Sequence, residues 1–276
     1  MSAPLVLLHG LTDSGDCWPG VVAHVRDRQV LTPSALGHGD RPLPETFAVS
    51  ALGADTVATM RRELDRPAVV VGHSMGGLMT QEVALTAPDL VAAVVLVDPA
   101  WVGTDHAPDW LAGTVGAPEW LAGAVASRTT PVEEVVARSR VDEPGWPDDE
   151  RAPWAAARGR LHPRLAEVPH DWAERDWPAA VGEIVALGIP VTLVTGDPAR
   201  TIVGPALVGR ALAAAAAAGA GDGATAEALG RRAARLTVVN LPGTGHSVHR
   251  DARAPFLTTL DQVLATADAA WSSTPS

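Results

Sequence analysis

A serine at the end of an apolar run is the strongest chemical signal in this sequence. Ser74 lies in the stretch Gly72–Gly76 (GHSMG), which has the pattern Gly-x-Ser-x-Gly. The run before it, Val69–Val71, is typical of a buried strand, and Leu78–Ala87 after it has the composition of a helix. A sharp turn between strand and helix would present the serine hydroxyl as a nucleophile. Glycines on both sides fit this turn because a Cβ there would collide with the neighbouring strand or helix.

A serine hydroxyl is a poor nucleophile until a base removes its proton. His246 is the candidate base, because an imidazole titrates near neutrality and can later protonate the leaving group. Four other histidines compete for this role, namely His9, His38, His73 and His249. A serine that only shapes a turn is the alternative to a nucleophile at position 74.

The elements that would position these residues form a regular alternation. Apolar runs predict six strands, at Pro4–Leu8, Gln29–Thr32, Ala68–Val71, Ala93–Val97, Val191–Thr195 and Thr237–Leu241. Helical stretches lie between them, and a final helix is predicted at about 254–269. Strands alternating with helices predict a doubly wound, mostly parallel sheet of the α/β class. Ligands bind at the carboxyl edge of such a sheet, where the loops with Ser74 and His246 fall.

Residues 101–187 interrupt this alternation. The segment holds seven of the nine tryptophans, with many prolines and acidic residues and no buried-strand run. We predict a helical cap insertion over the sheet, between core segments 1–100 and 188–271, with a tail at 272–276. Because the chain has no Tyr and only two Phe, Trp supplies nearly all of its aromatic surface. We therefore expect Trp101, Trp110 and Trp120 to line an apolar substrate pocket.

Composition narrows the class of protein. The chain has 276 residues, of which 47% are hydrophobic and 19% charged, as in soluble globular proteins. Its net charge of −11 argues against nucleic acid as a partner, because such binding needs a basic face. No apolar run approaches the ~20 residues that span a bilayer, and no secretory signal is visible. We expect a cytoplasmic protein with a small-molecule substrate, no membrane contact and no bound metal.

Five stretches match the landmarks of one family in order and spacing: LLHGLTDSGDCW, ALGHGD, VVVGHSMGG, VTGDPAR and LPGTGHSVHRD. Through them the chain resembles the α/β-hydrolase family over essentially its whole length outside the insertion. The chain order Ser…Asp…His distinguishes this family from other serine hydrolases. The resemblance implies catalysis without a cofactor, and an oxyanion hole formed by the backbone N–H groups of Leu11 and Met75.

The acid that orients His246 has two candidates. Asp197 follows a Val-rich strand in Gly196–Pro198 (GDP), which is the commoner arrangement in the family that the chain resembles, and we favour it. Asp98 is the alternative, because some relatives place the acid after the strand that follows the nucleophile. The carboxylate would hold the imidazole in the productive tautomer and stabilise the imidazolium.

The resemblance implies hydrolysis of a carboxylic ester or lactone through an acyl-enzyme, with a hydrophobic or aromatic substrate. Cleavage of a C–C bond, a thioester or an amide, or a lyase reaction without a cofactor, are alternatives on the same residues. A ligand receptor that keeps the triad without turnover is the alternative of another class. The chain begins almost at its first strand, so we expect a sheet edge that needs covering, for which a second copy of the chain is one candidate.

Overall fold

The computed structural model describes residues 2–101, 117–219 and 235–272. Its strands are β1 (Leu5–Leu8), β2 (Val30–Leu31), β3 (Phe47–Ala48), β4 (Ala68–His73), β5 (Val91–Val97), β6 (His170–Asp171), β7 (Val191–Thr195) and β8 (Leu236–Asn240). Its helices are α1 (Pro19–His24), α2 (Val49–Glu63), α3 (Met75–Thr86), α4 (Glu119–Ala126), α5 (Val132–Asp142), α6 (Asp148–Gly159), α7 (Trp177–Ala186), α8 (Pro205–Gly219), α9 (Val248–Asp251) and α10 (Arg253–Ser272).

Six of these strands form one sheet in the order β2-β1-β4-β5-β7-β8. Every pair of neighbours in it is parallel. Each of the six lies within or overlaps one of the apolar runs from which it was predicted, so the doubly wound parallel sheet is confirmed. None of the described helices is long and apolar enough to cross a bilayer.

The central strands are apolar throughout because both faces of the sheet are covered. In β1, Val6 and Leu8 belong to one core cluster, whereas Leu5 and Leu7 belong to a second cluster on the opposite face. Residues of α2, α3, α7 and α8 complete the first cluster, and residues of α1 and α10 complete the second. Side chains of a strand alternate between the two faces, so a fully buried strand reads as a continuous apolar run.

The segment predicted as a cap contains the helices α4, α5 and α6. It also contains the two-residue strand β6, which the sequence prediction missed, paired in parallel with β3. The last helix of the segment, α7, packs instead beside α3 in the core of the main sheet, where Gln81 Nε2 donates to the Trp177 carbonyl at 2.7 Å. The division of the chain into core and cap domains stays a prediction.

The turn between β4 and α3 is possible only with glycine at two positions. A Cβ on Gly72 would lie 2.0 Å from the Gly76 carbonyl oxygen, and one on Gly76 would lie 2.1 Å from that of Leu8. Both obstacles are backbone atoms, which no side-chain rotation can remove. The structure therefore confirms that a Cβ at either position would collide with the neighbouring strand or helix.

We expect Gly76→Ala to reduce the free energy of unfolding by about 3 kcal/mol or more, since β1 and α3 would have to separate. Gly123→Ala is the matched control, because nothing lies within 4 Å of the added Cβ on this exposed helical residue. The control should gain about 0.5–1 kcal/mol from its helix preference. Urea unfolding measures both variants, and equal stability of the two would contradict the packing described for the turn.

Candidate active site

Ser74 occupies a strained backbone position at the junction of β4 and α3. Its φ of 53° and ψ of −119° lie in a region that non-glycine residues rarely adopt. The end of β5 holds it there, because the Ser74 N–H donates to the Val97 carbonyl at 3.1 Å and its carbonyl accepts from Ala100 N–H at 3.0 Å. The hydroxyl is thereby presented at the carboxyl edge of the sheet.

Asp98 follows β5 directly and pairs with His246. The His246 Nδ1 lies 2.6 Å from Asp98 Oδ2. An ionised carboxylate only accepts, so Nδ1 donates to it, and in the neutral imidazole this leaves Nε2 as the acceptor. The Asp98 side chain is 0% exposed and also accepts from the backbone N–H groups of Ile202 and Val203 at 3.0 and 2.8 Å. These donors fix the carboxylate and compensate its removal from water.

This contact corrects the choice between the two acids. Asp197, which the sequence prediction favoured, follows the neighbouring strand β7, and its Oδ1 accepts from the Gly243 N–H at 3.2 Å in an exposed turn. Its backbone N–H donates to the Thr244 carbonyl at 3.0 Å. Asp197 thus stabilises the loop that precedes His246, whereas Asp98 contacts the imidazole itself.

The loop that carries His246 is attached to the Ser74 turn by a second histidine. His73 Nε2 donates to the His246 carbonyl at 3.0 Å, and the two ring centroids lie 4.7 Å apart. On its other side the His73 ring lies 4.7 Å from that of His249, which packs against Trp18 at 4.6 Å. Both His73 and His249 are buried, and their contacts shape the loop that carries His246.

Two further histidines shape the loop that carries Leu11. His9 Nε2 accepts from the Ala35 N–H at 2.9 Å, and His38 Nε2 accepts from the Thr12 N–H at 3.2 Å. Each ring therefore has its proton on Nδ1, which donates to a backbone carbonyl. The residues proposed for the oxyanion hole, Leu11 and Met75, both lie on the wall of the cavity described next. Met75 begins α3, where a backbone N–H has no acceptor within its own helix.

A cavity of about 430 Å³ opens above Ser74 and His246. Among the described residues, its aromatic wall is made of four tryptophans of the segment between β5 and α7: Trp120, Trp146, Trp154 and Trp172. A cavity lined by tryptophans is thus present, but most of these tryptophans differ from the predicted ones. Trp120 lines it, as predicted. Trp110 lies outside the described residues.

Trp101 was expected in the pocket wall and is not part of it. Its side chain is fully buried, and its Nε1 donates to Gln81 Oε1 at 2.7 Å in the core beside α3. Trp146, Trp154 and Trp172 were missed, although they belong to the same Trp-rich segment. Their positions depend on how α6 and the turns around it are oriented, which helix periodicity alone does not determine.

The cavity wall also carries charge. Arg250 is buried and its Nη2 donates to Asp13 Oδ2 at 2.8 Å. The Cζ of the same guanidinium lies 4.9 Å from the ring centroid of Trp146, in a cation–π contact. Trp146 in turn donates from Nε1 to Asp251 Oδ1 at 2.7 Å. These contacts attach the tryptophan wall to the chain that follows His246.

Comparison with known proteins shows the family to which this chain belongs. A model of the alpha/beta hydrolase family matches residues 5–259. The chain therefore belongs to the alpha/beta hydrolase family.

Individual relatives are similar to part of the chain, and a solved structure has a similar fold. Lipase LipV of Mycobacterium tuberculosis is 37% identical over 98 residues, which are 36% of this chain and 38% of the lipase. The sn-1-specific diacylglycerol lipase ABHD11 of Xenopus tropicalis is 40% identical over 98 residues, 34% of this chain and 31% of that protein. The matches thus span about a third of each relative. The crystal structure of E-2-(acetamidomethylene)succinate hydrolase has a TM-score of 0.66 at 20% identity, covering 96% of this chain and 92% of that one.

Acid should destabilise the fold through its buried histidines. Burial lowers the pKa of His9, His73, His170 and His249, and lowers that of His38 to about 3. Below their ordinary pKa of 6.5, these groups bind protons in the unfolded chain but stay neutral in the folded one. Their contribution to stability is therefore complete above pH 6.5 and is lost as the pH falls, at up to about 1.4 kcal/mol per pH unit for each group.

Denaturant unfolding between pH 7 and 5 tests this expectation. Glu143 and Glu150, whose pKa values are raised mainly by burial, oppose the trend, but the histidines outnumber them. We expect a net uptake of at least one proton on unfolding. A free energy of unfolding that stays constant or rises as the pH falls through this range would show that the histidines are not held neutral.

Proposed function

We propose that the chain is a serine hydrolase that cleaves a carboxylic ester or lactone through an acyl-enzyme. In this proposal Ser74 is the nucleophile, His246 the general base, and Asp98 the acid that orients it. The single observation that carries the proposal is the 2.6 Å contact between His246 Nδ1 and the buried Asp98 carboxylate, with the strained Ser74 and His246 lining one cavity. The lipases among its relatives support an ester as substrate.

The reaction follows from what each group can do. Ser74 Oγ attacks the carbonyl carbon while its proton passes to His246 Nε2. Asp98 stabilises the imidazolium that forms, and the backbone N–H groups of Leu11 and Met75 receive the oxyanion, at about 3 kcal/mol for each donor. Collapse of the intermediate breaks the bond to the leaving alkoxide, which takes the proton from His246. Water then hydrolyses the acyl-enzyme by the same sequence, releasing the acid and restoring Ser74.

The cavity supports a substrate with an apolar or aromatic body. Trp146 and Trp172 are buried in its wall, and Trp154 is half-buried there. Aromatic side chains bind flat apolar groups over a large contact area. A volume of about 430 Å³ accommodates a small molecule. We therefore propose a small ester or lactone whose acyl or alcohol part contacts the tryptophans.

Steady-state hydrolysis of para-nitrophenyl esters of increasing acyl length, together with aryl lactones, tests the proposed activity. We expect turnover by the wild type, with a preference for apolar acyl groups over acetate because of the tryptophan wall. Ser74→Ala should lose at least about 1,000-fold in kcat, since no acyl-enzyme can form. Multiple turnover separates an enzyme from a receptor, which would bind without releasing product. Activity that survives in Ser74→Ala would exclude Ser74 as the nucleophile.

Two aspartate variants test the assignment of the acid. Asp98→Asn keeps the shape of the side chain but loses the charge that selects the tautomer of His246, and kcat should fall by about 10,000-fold. Asp197→Asn is the matched control, because Asp197 only accepts from a backbone N–H in a turn, and it should stay within a few-fold of the wild type. The opposite ranking of the two variants would return the role to Asp197.

A further inference from the structure

One half-buried cation in the cavity wall has no counterion among the residues that the structure describes. Arg158 lies near the end of α6 and lines the cavity together with Ser74 and His246. Among the residues that the structure describes, its guanidinium has neither an ion pair nor a hydrogen-bond acceptor. The buried Nε is likewise unpartnered within the described ranges. A half-buried guanidinium with unused donors toward a cavity is suited to bind an anion.

Aromatic packing holds this guanidinium in place. The Cζ of Arg158 lies 4.2 Å from the ring centroid of Trp154. Trp154 meets Trp146 edge to face, with centroids 5.2 Å apart and planes at 87°. Arg250 covers the other tryptophan, so the aromatic pair carries one guanidinium at each end. Stacking on an aromatic ring orients the planar group before any ligand arrives, which reduces the entropy lost on binding.

Partners are already present for three other charged side chains of the cavity wall, namely Asp13, Arg250 and Asp251. Arg250 is paired with Asp13 at 2.8 Å. The carboxylate of Asp251 accepts from Trp146 Nε1 and from the Gly245 N–H. Of the charged groups on the described cavity wall, only three remain.

The remaining three charges are Glu143, Arg200 and Arg158. Arg200 is exposed, and its charge acts on Glu143, whose pKa it lowers while burial and Asp251 raise it. These two opposite charges therefore offset each other. Arg158 differs from the exposed Arg200 because it is half-buried: burial lowers its pKa, and the charge of Asp13 opposes this effect. An arginine nevertheless stays charged, so an unpaired cation lines the cavity.

We propose that Arg158 forms an anion-binding subsite of this cavity and that the substrate carries a carboxylate which pairs with it. The proposal rests on the proposed function, whose substrate class it narrows to an ester with an apolar body and an acidic group away from the scissile bond. A carboxylate matches the planar fork of a guanidinium through two parallel hydrogen bonds. The described wall carries three acidic side chains, Asp13, Glu143 and Asp251, besides its three arginines, so a singly charged carboxylate adds less negative charge there than a phosphate dianion would.

A pair of isosteric esters tests the subsite. The first is the mono-para-nitrophenyl ester of adipic acid, which carries a free carboxylate. The second is its neutral analogue, in which an isopropyl group replaces that carboxylate. We expect the wild type to prefer the acidic ester, and Arg158→Gln to lower kcat/KM for it by roughly 10- to 100-fold. The neutral ester should stay within about two-fold, because it makes no charged contact.

Arg164→Gln is the matched control, since Arg164 is an exposed arginine paired with Glu167 and is not part of the cavity wall. It removes the same charge and should affect neither ester. Equal losses on both esters in Arg158→Gln would show that Arg158 only packs against Trp154, and would overturn the subsite. Preference for the acidic ester that persists in Arg158→Gln would overturn it as well.

A binding measurement keeps this test separate from the proposed activity. Adipate itself is titrated into the protein while its tryptophan fluorescence is followed, because Trp154 and Trp146 adjoin the subsite. Saturable quenching in the wild type that is weakened at least 10-fold in Arg158→Gln supports the subsite even if neither ester is hydrolysed. No saturable binding of adipate, together with hydrolysis of the neutral ester that depends on Ser74, would overturn the subsite and leave the proposed function standing.

Discussion

The site depends on one buried contact, the hydrogen bond between His246 and Asp98. The two residues are 148 positions apart in the chain, so only the completed sheet brings them together. A buried carboxylate is costly unless its oxygens are satisfied. Here the backbone N–H groups of Ile202 and Val203 share that task with the imidazole. Any displacement of β5, of the loop after β7 or of the loop after β8 would leave this carboxylate buried and unpaired.

The end of β5 positions both Ser74 and Asp98, the proposed nucleophile and the proposed acid. Its Val97 carbonyl and the Ala100 N–H hold the backbone of Ser74, and the intervening Asp98 faces His246. His73, one residue before the serine, donates to the carbonyl of His246 from the other side. Ser74, His246 and Asp98 are therefore linked through short hydrogen bonds, most of which involve backbone groups. Backbone contacts of this kind give a preorganised geometry, on which the catalytic contribution of such groups depends.

Most of the fold could be predicted from the sequence because parallel strands buried on both faces leave continuous apolar runs. The Ser74 turn was equally readable, since Gly72 and Gly76 stand where a Cβ would meet backbone oxygen atoms. The two-residue strand β6 left no pattern, because two residues have no periodicity to detect.

The choice between Asp98 and Asp197 could not be made from local sequence. Each follows a Val-rich strand of the same sheet, β5 and β7, and these strands are direct neighbours. Which loop reaches His246 depends on the path of the chain after β8, a long-range property. The choice of tryptophans for the cavity wall was partly wrong for a similar reason, since Trp101 and Trp146 both follow a proline by two residues in the same Trp-rich segment. Trp101 is fully buried and donates a hydrogen bond to Gln81, whereas Trp146 lines the cavity.

Covalent labelling tests the central claim most directly, because it requires no knowledge of the substrate. A fluorophosphonate reacts with a serine that a neighbouring base has activated, and peptide mass spectrometry locates the label. The arrangement of Ser74, His246 and Asp98 predicts one phosphonyl group per chain, on the peptide that contains Ser74. An unlabelled chain, or a label on another residue while Ser74 stays unmodified, would contradict the account.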